Sequence, residues 1–255
     1  MKQRIIAFAN QKGGTGKSTC TINLGACFAL KGYKTLIIDM DPQANASMGL
    51  GIETYKLKKS MFNVLSEENS LSEIIMATGI SNLVIAPSHI TLSGIEAELL
   101  HGPLGELRLK SCMEDIEGND YNFILIDCPP TLGMLTTNAL IATNEVMIPI
   151  QMQLWALEGV AQLIGLVDKI QRLANRELYI SGVIATMYDS GTNLSKTVLS
   201  EVKKRFGDKV FNTYIRKNVT IAESNLEGKP VVVYNSGSTG AIDYKNLTKG
   251  ILNND

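Results

Sequence analysis

The chain is poor in the residues that most often announce a function. It has one tryptophan, two histidines and four cysteines in 255 residues, and its 24 basic and 25 acidic side chains nearly cancel, for a net charge of −1. Near-neutrality excludes the overall cationic character of a nucleic-acid or membrane binder, so any such binding has to come from a local patch. Cys20, Cys27, Cys112 and Cys128 form no CxxC pair and read as buried small hydrophobes in a reducing compartment. No apolar run approaches the length of a membrane span. Met1-Lys2-Gln3-Arg4 leads straight into an apolar segment, which leaves no room for a signal peptide and predicts a cytoplasmic protein. The length suits one large α/β domain over residues 1–255.

What the chain does have is alternation. Short apolar runs recur at 5–9, 35–38, 83–86, 123–126, 146–150 and 180–185, without strict polar spacing, as expected of strands buried on both faces of a parallel sheet. Helical patterns lie between them at 19–30, 71–77, 95–116 with a break at Gly102-Pro103, 135–142, 157–173 and 194–206. Right-handed crossovers then predict a doubly wound, mostly parallel sheet flanked by helices, with ligands beyond the strand C-termini. Residues 49–60 show the least pattern and are expected to form a mobile surface loop.

Three motifs fall at those predicted strand ends. Gln11-Lys12-Gly13-Gly14-Thr15-Gly16-Lys17-Ser18-Thr19 joins the first strand to a helix. Glycines let successive N–H groups wrap an anion, the helix presents its positive end, and Lys17 and Ser18 add a charge and a magnesium-seeking hydroxyl. This is the pattern of a P-loop for a nucleoside triphosphate with magnesium. Gln11 stands where the usual first glycine would be, and the second lysine, Lys12, is placed to reach a neighbouring subunit's phosphates, as an arginine finger does. Asp39 and Asp41, two residues apart before Pro42, share a direction in extended geometry. Asp39 is expected near magnesium or Lys17, and Asp41 is expected to orient the attacking water. The run 123–126 ends in Asp127, placed to hold a water of the magnesium shell, and Pro129-Pro130 stiffen the chain's exit into a segment that can sense the γ-phosphate.

Together these segments resemble the deviant Walker A, the D-x-D-P-Q box and the Walker B of the ParA/MinD superfamily of P-loop NTPases. The stretches 151–159, 186–189, 192–194, 222–224 and 228–231 look like its chromosomal ParA (Soj-like) branch. The resemblance implies an ATPase that sandwiches two ATP molecules in a homodimer, binds nonspecific double-stranded DNA in that state, and is stimulated by a ParB-type partner. It is expected to be nucleoid-associated and to form no stable membrane association. It also makes Met187 and Asn218 candidate adenine neighbours, beside the phosphate-binding residues 12–19. Catalytic roles fall to Lys12, Lys17 and Asp41, and metal roles to Ser18, Asp39 and Asp127.

Charge is uneven along the chain: residues 181–255 carry ten basic and seven acidic side chains, against fourteen and eighteen before them. Lys196, Lys203, Lys204, Arg205, Lys209, Arg216 and Lys217 are therefore candidates for a phosphate-contacting surface that reads no base sequence. Two arginines common in Soj-like members are missing here, at Gly191 and Thr220; Lys217 replaces another, and Arg216 stands where a proline is usual. Lysine keeps the charge but loses the bidentate fork. These departures favour, as the alternative, a ParA-like ATPase that positions a protein cargo. A MinD-like membrane switch would need a basic amphipathic C-terminal helix, whereas the stretch 247–255 is short, contains Gly250 and finishes acidic. An iron–sulfur reductase would need exposed cysteines placed for a shared cluster.

Overall fold

The computed structural model describes residues 2–253 apart from 117 and 119. Six strands are parallel: β1 (Arg4–Phe8), β2 (Thr35–Asp39), β4 (Leu83–Ala86), β5 (Phe123–Asp127), β6 (Glu145–Gln151) and β7 (Tyr179–Thr186). They match the six apolar runs to within a residue or two. A two-residue strand, β3 (Met76–Ala77), adds an antiparallel edge, giving the order β3-β4-β2-β5-β1-β6-β7. Residues 71–77 therefore are not one helix. Four of them form α4 (Leu71–Ile74), after which Ile75 turns extended and the chain satisfies the open edge of β4.

The remaining helices are α1 (Lys17–Leu30), α2 (Asn45–Met48), α3 (Met61–Leu65), α5 (Ile95–His101), α6 (Arg108–Met113), α7 (Met134–Ile141), α8 (Glu158–Leu173), α9 (Asn193–Phe206), α10 (Val219–Leu226), α11 (Val231–Tyr234) and α12 (Thr239–Asn253). Strand residues alternate between two buried clusters. Ile6, Phe8, Ile37 and Leu125 face α1 and α12, whereas Ala7, Ala9, Ile38 and Ile126 face the layer containing α5 to α8. Burial on both faces explains the unbroken apolar runs.

One expectation changes here. Residues 49–60 run mostly over the surface, with fixed points at either end: Leu50 is buried and Ser60 caps α3, while Glu53 pairs with Lys56 at 2.6 Å. The C-terminal stretch is the end of a fifteen-residue helix that buries Ala241, Tyr244, Leu247 and Ile251 in the α1 cluster. The apolar stripe of α12 is thus taken up by the core. Residues 254 and 255 of that stretch lie outside the described residues.

Register is what brings the motifs together. Phe8 pairs with Asp127 and Asp39 also pairs with Asp127, so β1, β5 and β2 end level with one another. The loop after β1, the Asp39–Asp41 segment and Asp127 consequently lie side by side at one edge of the sheet.

The exit from β5 is fixed by a close approach. Glu96 on α5 accepts from the N–H of Leu135 at 3.4 Å, and a Cβ on Gly133 would stand 2.3 Å from its Oε1. Gly133→Ala would push this flexible, partly exposed carboxylate off the Leu135 N–H and is expected to destabilise the protein by no more than about 1 kcal/mol. Thermal melts would show a fall of about 2–4 °C per kcal/mol. In a Glu96→Ala background, where that hydrogen bond is already absent, the substitution should cost little further.

Candidate active site

The loop of residues 11–16 needs glycine at two points, because Gly14 (φ 71°) and Gly16 (φ 90°) are left-handed. Gly16 is the N-cap of α1, so the helix begins directly behind the loop. Asn10 anchors the near end by donating to the Pro149 carbonyl at 2.7 Å and accepting from the Lys12 N–H at 3.1 Å. Thr186 at the end of β7 holds the far end, its hydroxyl donating to the Thr15 carbonyl at 2.7 Å. Sequence reasoning assigned neither residue; each is a single polar position at a strand end, with no local pattern to mark it.

Lys17 is 6 % exposed and its Nζ donates to the Lys12 carbonyl at 3.2 Å, inside its own loop. Burial pulls its pKa down, opposed by the charges of Asp127, Cys128 and Asp41. Among the described residues the Lys12 ammonium has no hydrogen-bond or ion-pair partner. Gly159 of α8 lies against the Gln11 side chain and the Lys12 backbone N–H. The segment leading into α8 exposes Leu154 and Trp155, the latter with φ 63°.

Asp127 is fully buried. Its Oδ1 accepts from Thr21 at 3.3 Å, and its Oδ2 has no hydrogen-bond partner among the described residues. Burial and then the charge of Asp39 push its pKa well up, with the Ser18 hydroxyl opposing. An orphaned buried carboxylate oxygen beside a serine at a helix N-terminus is the donor set a divalent cation needs. The residues present therefore fit magnesium. Thr21 is a site residue that the sequence reading did not assign.

Asp39 is held by the loop that follows it. Its Oδ1 accepts from the Asp41 N–H at 3.1 Å, and its Oδ2 accepts from the Ser47 N–H at 2.8 Å and the Ser47 hydroxyl at 2.7 Å. The carboxylate is turned to the loop it precedes, and its charge acts on the neighbouring Asp127. Burial pushes its pKa up to about 7 against those hydrogen bonds. Asp41 is the carboxylate that faces the cleft. It accepts from the Gln43 N–H at 2.9 Å, and burial raises its pKa against Gln43 and the charge of Lys17.

The cleft holding the loop has a volume of about 800 Å3 and is walled by α2, residues 51–55 and the end of α10. Met187 follows β7, and Asn218 precedes α10. Met187 is left-handed (φ 51°) directly after Thr186, and Asn218 caps α10 by accepting from the Thr220 N–H at 2.8 Å. Neither lines the cleft.

The basic residues separate into groups. Lys196, Lys203 and Lys204 gather around Tyr188, with Lys203 stacked 5.4 Å over the Tyr214 ring. Lys217 is exposed close by in the chain path, its backbone N–H donating to the Tyr188 carbonyl at 3.0 Å. Lys204 pairs with Glu201 at 2.6 Å. Arg205 follows Lys203 by two positions and so projects from the other flank of α9, about 200° around the helix. Arg216 is committed to Asp243 of α12 through both its Nε and Nη2, at 2.6 to 3.2 Å. The single exposed surface expected of all these side chains is therefore narrower, losing Arg205 to geometry and much of Arg216 to an internal ion pair.

Comparison with known proteins agrees with this geometry. A family model described as an AAA domain matches residues 3–180. The sporulation initiation inhibitor protein Soj of Bacillus subtilis is 45 % identical over 98 % of this chain and 99 % of its own length. The chromosome-partitioning ATPase Soj of Treponema pallidum is 42 % identical over 99 % and 98 %. A crystal structure of cobyrinic acid a,c-diamide synthase from Mycobacterium smegmatis, with bound ADP and magnesium, superposes with a TM-score of 0.86 at 32 % identity, covering 98 % of this chain and 94 % of that one. With its deviant phosphate loop, level strand ends and full-length relatives, the chain belongs to the Soj/ParA family of P-loop ATPases.

Proposed function

We propose that this protein is a nucleotide-switched partition ATPase. It binds ATP with magnesium through residues 12–19 and closes into a homodimer. In that state it holds nonspecific double-stranded DNA, and it hydrolyses ATP to ADP and phosphate under the control of a ParB-type partner. The observation that carries this reading is the Lys12 ammonium, which has no partner among the described residues and stands on a phosphate loop whose own lysine is turned inward. An uncommitted cation on a phosphate loop suits a second copy of the chain carrying its own phosphates.

The chain's residues divide the work. Loop N–H groups and the start of α1 cradle the phosphates. Lys17 exchanges the Lys12 carbonyl for phosphate oxygens, Ser18 and Asp127 hold magnesium and its water, and Asp41 orients the attacking water. Magnesium, when bound, supplies charge neutralisation on the β- and γ-phosphates. His89 and His101 lie outside all three motifs, so the site has no strong general base and turns over slowly until a partner assists. Met187 and Asn218 are the residues we assign to adenine, by the family resemblance. Among the described residues no helix is long and apolar enough to cross a membrane. We place the protein in the cytoplasm, on the nucleoid when DNA is bound.

For DNA, Lys196, Lys203 and Lys217 are the contacts favoured by the grouping around Tyr188. Three such lysines per protomer make about six per dimer, for a slope of log K against log salt of about −5. Binding to nonspecific duplex DNA, measured in Asp41→Ala with and without ATP over a range of salt, is expected to require ATP and to show that slope. Lys196→Ala with Lys203→Ala should flatten it by about 4. No binding by a demonstrably ATP-dimeric sample would sink the DNA role and favour the protein-cargo reading, to which the commitment of Arg216 to Asp243 already gives weight.

A further inference from the structure

Asp41 sits on a loop that a single buried carboxylate holds at both ends. Asp39 takes the Asp41 N–H at the loop's start and both the N–H and hydroxyl of Ser47 at its end. The Ser47 oxygen in turn accepts from the Ser88 N–H at 3.0 Å, tying the loop to the segment after β4. Asp39, Ser47 and Ser88 are all fully buried. Between the anchors the backbone is under tension, because Ala44 is left-handed (φ 53°, ψ 32°) without being glycine. Such a conformation persists only where its surroundings over-determine it, and the hydrogen bonds to Asp39 are what over-determine this one.

We infer that Ser47, held between Asp39 and the Ser88 backbone, is a positioning residue for hydrolysis that fixes where the Asp41 carboxylate stands in the cleft. The inference rests on the proposed role of Asp41. The Ser47 side chain does not line the cleft, and its carbonyl, which accepts from the Leu50 and Ile52 N–H groups, is kept in any side-chain variant, so the hydroxyl acts on turnover through Asp41 and not on nucleotide binding. That hydroxyl donates to Asp39 Oδ2 and accepts from the Ser88 N–H.

The test compares side chains of equal bulk. Ser47→Thr and Ser47→Val have nearly the same shape and differ in one hydroxyl against one methyl, so most of the packing cost is common to both. Ser47→Val is expected to lower kcat about 10- to 100-fold relative to Ser47→Thr, the range for misplacing a reacting group by about 1 Å, with KM for ATP changed less than about twofold. In an Asp41→Ala background the Thr and Val variants should turn over equally, because the group they position is gone. Equal kcat for Thr and Val with Asp41 present would overturn the inference. So would a Val deficit that persists undiminished in the Asp41→Ala background, since that marks a purely structural role. Wild-type hydrolysis by Asp41→Ala alone would instead remove the role given to Asp41, and that separates failure of the underlying reading from failure of this one.

Discussion

Replacing Lys17 with methionine is expected to lower affinity for ATP by about 2–5 kcal/mol, or about 30- to several-thousand-fold, while leaving the nucleotide-free protein at least as stable as before. The first effect follows from removing one member of a buried, hydrogen-bonded charge pair, which leaves the phosphates without their cation. The second follows from the burial of Lys17. Its folded pKa is lowered, so charging it costs stability at any pH below its unfolded value, and that cost is largest once pH is below the folded value as well. Methionine keeps the stem and removes the desolvated charge. Isothermal titration with an ATP analogue and thermal melts of the free protein check the two halves separately. Unchanged affinity would remove the phosphate role; a large loss of stability in the free protein would mean that the hydrogen bond to the Lys12 carbonyl is structural.

Lys12→Ala is expected to do something different. Its ammonium has no intramolecular partner among the described residues, so folding and monomeric ATP binding should change little. ATP-dependent dimerisation should weaken by about 2–5 kcal/mol for each desolvated lysine–phosphate pair that the substitution removes, and a symmetric dimer has two such pairs. Sedimentation in the Asp41→Ala background, where the ATP state persists, is then expected to show monomer at concentrations where the parent is dimeric. Normal dimerisation would end the intermolecular role. A loss of monomeric ATP binding would place Lys12 on its own nucleotide instead.

The two lysines also show how legible the site is in the sequence. Residues 11–19 can be read directly because a phosphate loop is a local object: its glycines, its lysine and the helix behind it are contiguous, and their backbone requirements are met within about ten residues. The strand-ending aspartates are legible for a similar reason, since a buried strand must stop where its charge begins. The direction in which Asp39 points is not, because it depends on a serine eight residues later folding back through a left-handed alanine, and no rule of spacing encodes that. The same limit applies to Thr186 and Asn10, which act on the loop from β7 and from the end of β1 through partners 171 and 139 residues away.

The basic residues follow the same division. Their number and late clustering are properties of composition, visible without a fold. Which of them share a surface depends on the helix phase of α9, which turns Arg205 away from Lys203, and on α12, which brings Asp243 against Arg216 across 27 residues. The C-terminal segment reads as too short for an amphipathic helix because the first turns of α12, from Thr239, carry glycine and a buried aspartate that weaken the local pattern.

The sequence by itself determined the doubly wound class, six of the strands, the phosphate loop and the carboxylates at two strand ends, because each rests on hydrophobic period or backbone chemistry confined to a few neighbouring residues. Only the tertiary structure decided that Asp39 also holds the loop that carries Asp41, that Lys17 turns inward while Lys12 has no partner among the described residues, and that Arg216 pairs with Asp243. A buried polar group takes whatever partner the fold sets within about 3 Å, and that partner is fixed by strand register and helix docking over distances that no local pattern spans.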